Sequence, residues 1–161
     1  MRTIEGTQRA TGLRFAIVVS KYNDFVTDRL QAGALSALTA AGAAPADLTV
    51  VRVPGAFELP VAAQHAAESG QYDAIVCLGC VIRGATPHFE YIASAVAHGL
   101  TSASAATGVP MAFGVLTTNS VEEAIERAGE GDGNKGREAA LAAVEMATVI
   151  AQLTRQPSPK A

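Results

Sequence analysis

This chain has little cysteine, little charge and no long apolar run, and each shortage excludes a class of protein. Two cysteines stand among 161 residues. A chain of this length buries roughly 70% of its unfolded surface, so it needs no disulfide or metal staple. Length also sets the expected domain count at one, spanning 1–161. Charged residues are 17% and hydrophobic residues 49%, a balance that excludes intrinsic disorder. Lys and Arg number 12 against 15 Asp and Glu, a net charge of −3. A sequence-independent nucleic-acid binder carries a basic excess, and this chain lacks one. No run approaches the roughly 18 apolar residues of a membrane span. Met1–Gln8 holds no apolar segment of a secretory signal. The cytoplasm is the expected location, with no membrane or nucleic-acid partner. What the chain does have is alanine, the main source of its mean hydropathy of +0.24. That points to close-packed helices and to surface committed to partners.

Cys77 and Cys80 are spaced C-x-x-C. Redox or metal chemistry needs both sulfurs on one side of a tight turn. The surrounding Asp73–Ile82 reads instead as a buried strand, in which positions i and i+3 face opposite ways. No second cysteine pair or nearby histidine pair completes a metal site. Both thiols are expected in the core.

Apolar runs alternate with helical patterns along nearly the whole chain. Strands are predicted at Arg14–Ser20, Leu48–Val53, Ala74–Leu78 and Val109–Thr117. The first is a continuous, β-branched run, the mark of a strand buried on both faces. Leu30, Ala34, Leu35, Leu38 and Ala41 recur at helical spacing, which predicts a helix over Asp28–Ala41 stopped by Gly42. Pro60 opens a second helix, to Ser69. Thr86-Pro87 reads as an N-cap and first helical residue of a helix ending at Thr107. Ser120–Glu123 is a capping box for a short helix to Arg127. The glycine-rich segment Gly129–Gly136 leads to a last helix, Glu138–Leu153. An N-terminal arm (1–11) and a frayed tail (155–161) flank the rest. Four strand–helix alternations imply right-handed βαβ units: an α/β fold, a three-layer α/β/α sandwich around a central parallel four-stranded sheet.

Ligands of such sheets sit beyond the C-terminal ends of the strands. Tyr22 and Phe57 stand at two of those ends, where a ring either stacks on a planar heterocycle or covers the core edge. Gly84-Ala85-Thr86 runs into a helix N-terminus, whose amides and dipole suit an anion such as phosphate. His88 lies in the first turn, where the dipole favours the neutral imidazole. It either carries protons or simply packs and meets solvent. His65 and His98 lie mid-helix without partners and read as ordinary residues. Arg127 is either a bidentate phosphate clamp or a cation at the C-terminal end of its own helix. Gly131–Gly136 matches G-x-G-x-x-G but follows a helix, whereas a dinucleotide loop needs strand–turn–helix. A P-loop fails too, because Asn134 and Gly136 stand where glycine and a hydroxyl residue are required.

Four segments taken together resemble the lumazine synthase family of the riboflavin pathway. They are Pro54–Pro60, Gly79–Phe89, Phe113–Asn119, and Arg127–Gly129 with Gly133–Gly136. The resemblance covers residues 12–150 and implies a flavodoxin-like fold. It implies condensation of 5-amino-6-(D-ribitylamino)uracil with 3,4-dihydroxy-2-butanone 4-phosphate to 6,7-dimethyl-8-ribityllumazine, with release of phosphate and water. No metal or cofactor is implied. Tyr22 takes the position that stacks on the pyrimidine, with Ala56, Phe57, Glu58, Cys80, Val81 and Ile82 lining the ring and ribityl pocket. Phe113 and Arg127 come, by the resemblance, from the adjacent subunit. Phe113 borders the uracil, and Arg127 binds phosphate with Ala85 and Thr86. His88 matches the proton-transfer residue, and Lys135 and Glu138 match positions near the ligand. Two residues depart from the family pattern: Tyr22 replaces a common Phe or Trp, and Cys80 a common hydroxyl residue.

The resemblance further implies pentamers. Their closure into a shell of about 60 subunits, twelve pentamers, depends on a short loop between the last two helices. Riboflavin synthase is a candidate partner by the same resemblance, its enclosure in such a shell left open. Three rivals remain: an archaeal-type riboflavin synthase of the same fold, a flavin carrier without turnover, and a shell protein without chemistry. The first would consume the lumazine; the other two have no use for His88 and Arg127 around a phosphate.

Overall fold

The structure is a computed structural model and describes residues 1–155. Four strands, β1 (Phe15–Ser20), β2 (Leu48–Val53), β3 (Ala74–Ile82) and β4 (Met111–Thr118), form one sheet in the order β2-β1-β3-β4. Every pairing is parallel. Five helices occupy the connections and the C-terminal side: α1 (Asp24–Ala40), α2 (Leu59–Glu68), α3 (His88–Thr107), α4 (Val121–Arg127) and α5 (Lys135–Thr154). This is the expected α/β architecture.

Alternation along the strands divides the interior into two cores. Phe15, Ile17 and Val19 of β1 pack with Leu30 and Leu38 of α1 and Ala140 and Val144 of α5. Ala16 and Val18 face the other way, toward Leu59 and Ala63 of α2 and Val96 and Leu100 of α3. All six residues of β1 are buried, as expected for a strand covered on both faces. β2 departs from that pattern. It is an edge strand, and Thr49, Val50 and Arg52 are exposed.

Several boundaries differ from the sequence reading for local reasons. α1 starts at Asp24 rather than Asp28, because Asn23 takes a left-handed conformation (φ 62°) and turns the chain into the helix early. β3 runs on to Ile82 because β4 pairs with it as far as Ile82 opposite Thr118. Pro87, not Thr86, occupies the N-cap of α3, and no side chain caps that helix. α5 begins at Lys135, three residues before the expected Glu138, because Asn134 caps it. Ser120 caps α4 as read, its side chain accepting from the Glu123 amide at 3.2 Å. Gly108 ends α3 in the left-handed conformation (φ 72°) that glycine reaches without strain.

The arm at 1–11 lies along α5: Gln152 donates to the Glu5 carbonyl at 2.7 Å and the Thr7 amide to Thr148 at 2.9 Å. Of the expected tail, Arg155 is described and 156–161 lie outside the described residues. No helix among the described residues is long and apolar enough to cross a membrane.

Candidate functional site

Backbone and side-chain bonds draw the strand ends together. The amides of Lys21 and Tyr22 donate to the carbonyls of Val53 and Pro54 at 2.8 and 3.0 Å, joining the β1 and β2 ends. Asn23 donates its side-chain amide to the Cys80 carbonyl at 2.9 Å, joining β1 to β3. Arg83 then joins β3 to β4 and α3. Its amide reaches the Thr118 carbonyl at 2.8 Å, its Nε the Asn119 side chain at 2.9 Å and its Nη1 Glu90 at 2.8 Å. The guanidinium also lies 4.6 Å from the centre of the Phe89 ring.

A cleft of about 610 Å³ opens above these ends, within the range of small-molecule sites. Tyr22 and Phe57 line it with 73% and 61% of their surfaces free, far more than rings that only seal a core would show. Ala56, Cys80, Val81 and Ile82 complete the apolar side, with the Glu58 carboxylate beside them. Gly84, Thr86 and His88 form the other side, where the chain enters α3. The uncapped amides there have no side-chain partner within the helix, which leaves them for an anion. Ala85 sits exposed between Gly84 and Thr86 but does not itself line the cleft.

The remaining site residues gather elsewhere. Phe113, Arg127, Lys135 and Glu138 line a second cleft of about 320 Å³ between β4 and the start of α5. Lys135 and Glu138 are paired at 2.9 Å. Arg127 turns its Nη1 back onto the Glu123 carbonyl at 3.1 Å, so both sequence readings of this side chain stay compatible with its position. No residue lines both clefts. Within one chain, Arg127 and the Gly84–Thr86 turn do not form a common anion site.

Cys77 and Cys80 face opposite sides of β3, one in each core, and neither is in a disulfide. Burial raises the Cys77 thiol from the ordinary 9.0 to about 12 and the Cys80 thiol to about 11. Both stay protonated thiols, unsuited to nucleophilic or redox work. Gly131–Gly133 forms a short 3₁₀ turn between α4 and α5, away from any strand end, so its glycine pattern makes no dinucleotide loop.

Sequence reasoning passed over Asn23, Arg83, Asn119 and Asn134. The available signal was a polar residue just after a strand for Asn23, Arg83 and Asn119, and an asparagine before a helix for Asn134, but most of their partners are distant in sequence.

The parallel sheet, the aromatic rim and the amides at the α3 start suit a phosphorylated substrate together with a planar one. Comparison with known proteins decides the family. The family model described as 6,7-dimethyl-8-ribityllumazine synthase matches residues 12–151. The chain belongs to the lumazine synthase family. It is 55% identical over 149 residues to the 6,7-dimethyl-8-ribityllumazine synthase of Syntrophus aciditrophicus (strain SB), covering 92% of this chain and 97% of that protein. Lumazine synthase membership makes it a transferase-type enzyme of riboflavin biosynthesis.

Proposed function

We propose that the chain condenses 5-amino-6-(D-ribitylamino)uracil with 3,4-dihydroxy-2-butanone 4-phosphate to 6,7-dimethyl-8-ribityllumazine, releasing phosphate and water in the cytoplasm. The observation that carries the reading is the division of the site residues between two clefts of one chain that share no lining residue. A neighbouring copy that sets its Arg127 cleft against the Tyr22 cleft completes the constellation. Such a head-to-tail contact closes into a ring, here a pentamer.

In the completed site the pyrimidine stacks on Tyr22 and Phe57, both free at the rim. Its ring and ribityl chain lie along Glu58 and the Cys80–Ile82 edge, with Phe113 of the neighbour against the uracil. The phosphate of the second substrate sits at Ala85, Thr86 and the start of α3, clamped by the neighbour's Arg127. Lys135 and Glu138, beside Arg127, line that approach. Holding the amine against the ketone supplies much of the rate, because the encounter becomes unimolecular. The amine attacks the carbonyl carbon and water leaves as the imine forms. The phosphate then departs with its bonding electron pair, its charge stabilised by helix amides and guanidinium. Ring closure through the second amine expels a further water. His88 takes and returns the protons these steps exchange. Oxidation levels balance throughout, so the sequence of steps calls for no redox cofactor.

Mixing the protein with both substrates and following the rise of lumazine absorbance tests the reading. Growth of that chromophore supports it; no growth, with both substrates intact, rejects it.

A further inference from the structure

Asn134 holds more of the second cleft together than any of the residues that line it. It is 4% exposed and stands at the N-cap of α5. Its Oδ1 accepts from the amides of Gly136 and Arg137 at 2.8 and 3.0 Å. Its Nδ2 donates to the carbonyls of Gly129, Arg29 and Ala128 at 2.9, 3.2 and 3.3 Å. One side chain thus satisfies amides left open where α5 begins and carbonyls left open where α4 ends. It also ties both to α1, which carries Arg29.

The surroundings leave this joint little freedom. A Cβ on Gly33 of α1 would strike the Asn134 amide, and one on Gly136 would strike the Leu30 carbonyl. α4, by contrast, is weakly held: of its seven residues only Ala124 is buried, and Val121 and Ile125 are exposed. Its start is fixed by the Ser120 cap and the bond from the Asn119 amide to Glu123, and its end by the Asn134 tie. Ala128 and Gly129, which take the Asn134 donor, directly follow Arg127, while Lys135 directly follows Asn134. The Asn134 amide thus bridges the residues that follow Arg127 to the start of the helix that carries Lys135 and Glu138.

We infer that Asn134 is a positioning residue: its side-chain amide fixes Arg127 relative to the start of α5, and with it the phosphate-binding half of the site. The inference rests on the phosphate role of Arg127 proposed above. An arginine clamp on phosphate is directional, so a displacement of about 1 Å weakens it steeply. Asparagine is required because aspartate has no donor for the three carbonyls, and serine is too short and brings a single hydrogen.

Asn134→Asp and Asn134→Ser test this, since both residues cap helices well and keep the acceptor, while aspartate lacks the donor and the serine hydroxyl is too short to bridge to the three carbonyls. Titration with inorganic phosphate, the KM of each substrate and the melting temperature are measured for both variants, for wild type and for Arg127→Ala. Both Asn134 variants should bind inorganic phosphate roughly tenfold more weakly and raise the KM of the phosphorylated substrate about as much. The KM of the pyrimidine should move by less than about twofold. A merely structural role would lower the melting temperature without splitting the two KM values. The inference is overturned if both variants bind phosphate as wild type does, or if the two KM values rise together. The Arg127→Ala arm separates the two levels. Lost phosphate binding there, with wild-type binding in the Asn134 variants, sinks the Asn134 role alone. Wild-type binding in Arg127→Ala sinks the phosphate role of Arg127, and the inference with it.

Discussion

Thr27 donates its hydroxyl to the Ser20 carbonyl at 2.7 Å, and both residues are fully buried. The bond spans the turn from β1 into α1, and that turn carries Tyr22 to the rim of the larger cleft. The Ser20 hydroxyl itself has no hydrogen-bond partner among the described residues. Thr27→Val, which keeps the shape and removes the donor, should therefore lower stability by about 1 kcal/mol. Ser20→Ala should leave stability unchanged or raise it slightly. Denaturant unfolding of the two variants checks this, and a larger loss for Ser20→Ala than for Thr27→Val contradicts it.

His88 lines the larger cleft at the first turn of α3. His88→Ala should keep the fold and the binding of both substrates and lower turnover by about tenfold or more, because proximity still contributes. Steady-state rates at neutral pH decide it. Wild-type turnover in the variant removes His88 from the proton transfers.

Arg127→Ala should weaken the phosphorylated substrate far more than the pyrimidine, since the lost contact is a charge-assisted clamp on one ligand. Because the proposed site takes His88 from one copy and Arg127 from the next, co-expressed His88→Ala and Arg127→Ala chains should regain activity in mixed rings. Separate preparations of the same variants should stay impaired. No gain on co-expression places both residues in one chain's site.

The thiols make a prediction about pH. Folding raises Cys77 from 9.0 to about 12 and Cys80 to about 11, both through burial. Each contributes stability that is complete below the unfolded value and is lost as pH climbs through the folded one. Stability should therefore decline above pH 9.0, and a Cys77→Ala, Cys80→Ala double variant should decline less over that window. At pH 8 iodoacetamide should label neither thiol in the native protein and both after unfolding, as mass spectrometry would show. Rapid native labelling of either cysteine contradicts the burial argument.

The segment between α4 and α5 is short, Ala128–Asn134, and contains a single 3₁₀ turn. By the family resemblance, a short connection there accompanies closed shells. Light scattering after size exclusion should thus give a particle of about 60 subunits. A single species near five subunits across phosphate concentration and pH would remove the shell and leave the enzyme standing.

Much of this protein is legible from residues close together in the chain. The β-branched run at Phe15–Ser20, the Ser120 cap and the opposed faces of Cys77 and Cys80 all follow from local periodicity and capping, which need only a few neighbours. The parallel order of strand and helix likewise directs attention to the strand ends, and Tyr22, Phe57 and His88 do share one cleft there. Other features exist only once the chain has packed. Asn23 starts α1 early while bonding to Cys80, 57 residues away in sequence, and Asn134 reaches Arg29 across 105. Arg83 chooses Asn119 and Glu90 as partners from two different elements. No local pattern encodes such bonds, because a polar side chain is satisfied by whatever group the packed helices and strands bring within reach. The separation of Arg127 from Thr86 was equally a matter of packing. Arg127 ends α4 in one cleft while Thr86 stands before α3 in the other, and only the folded chain establishes that separation.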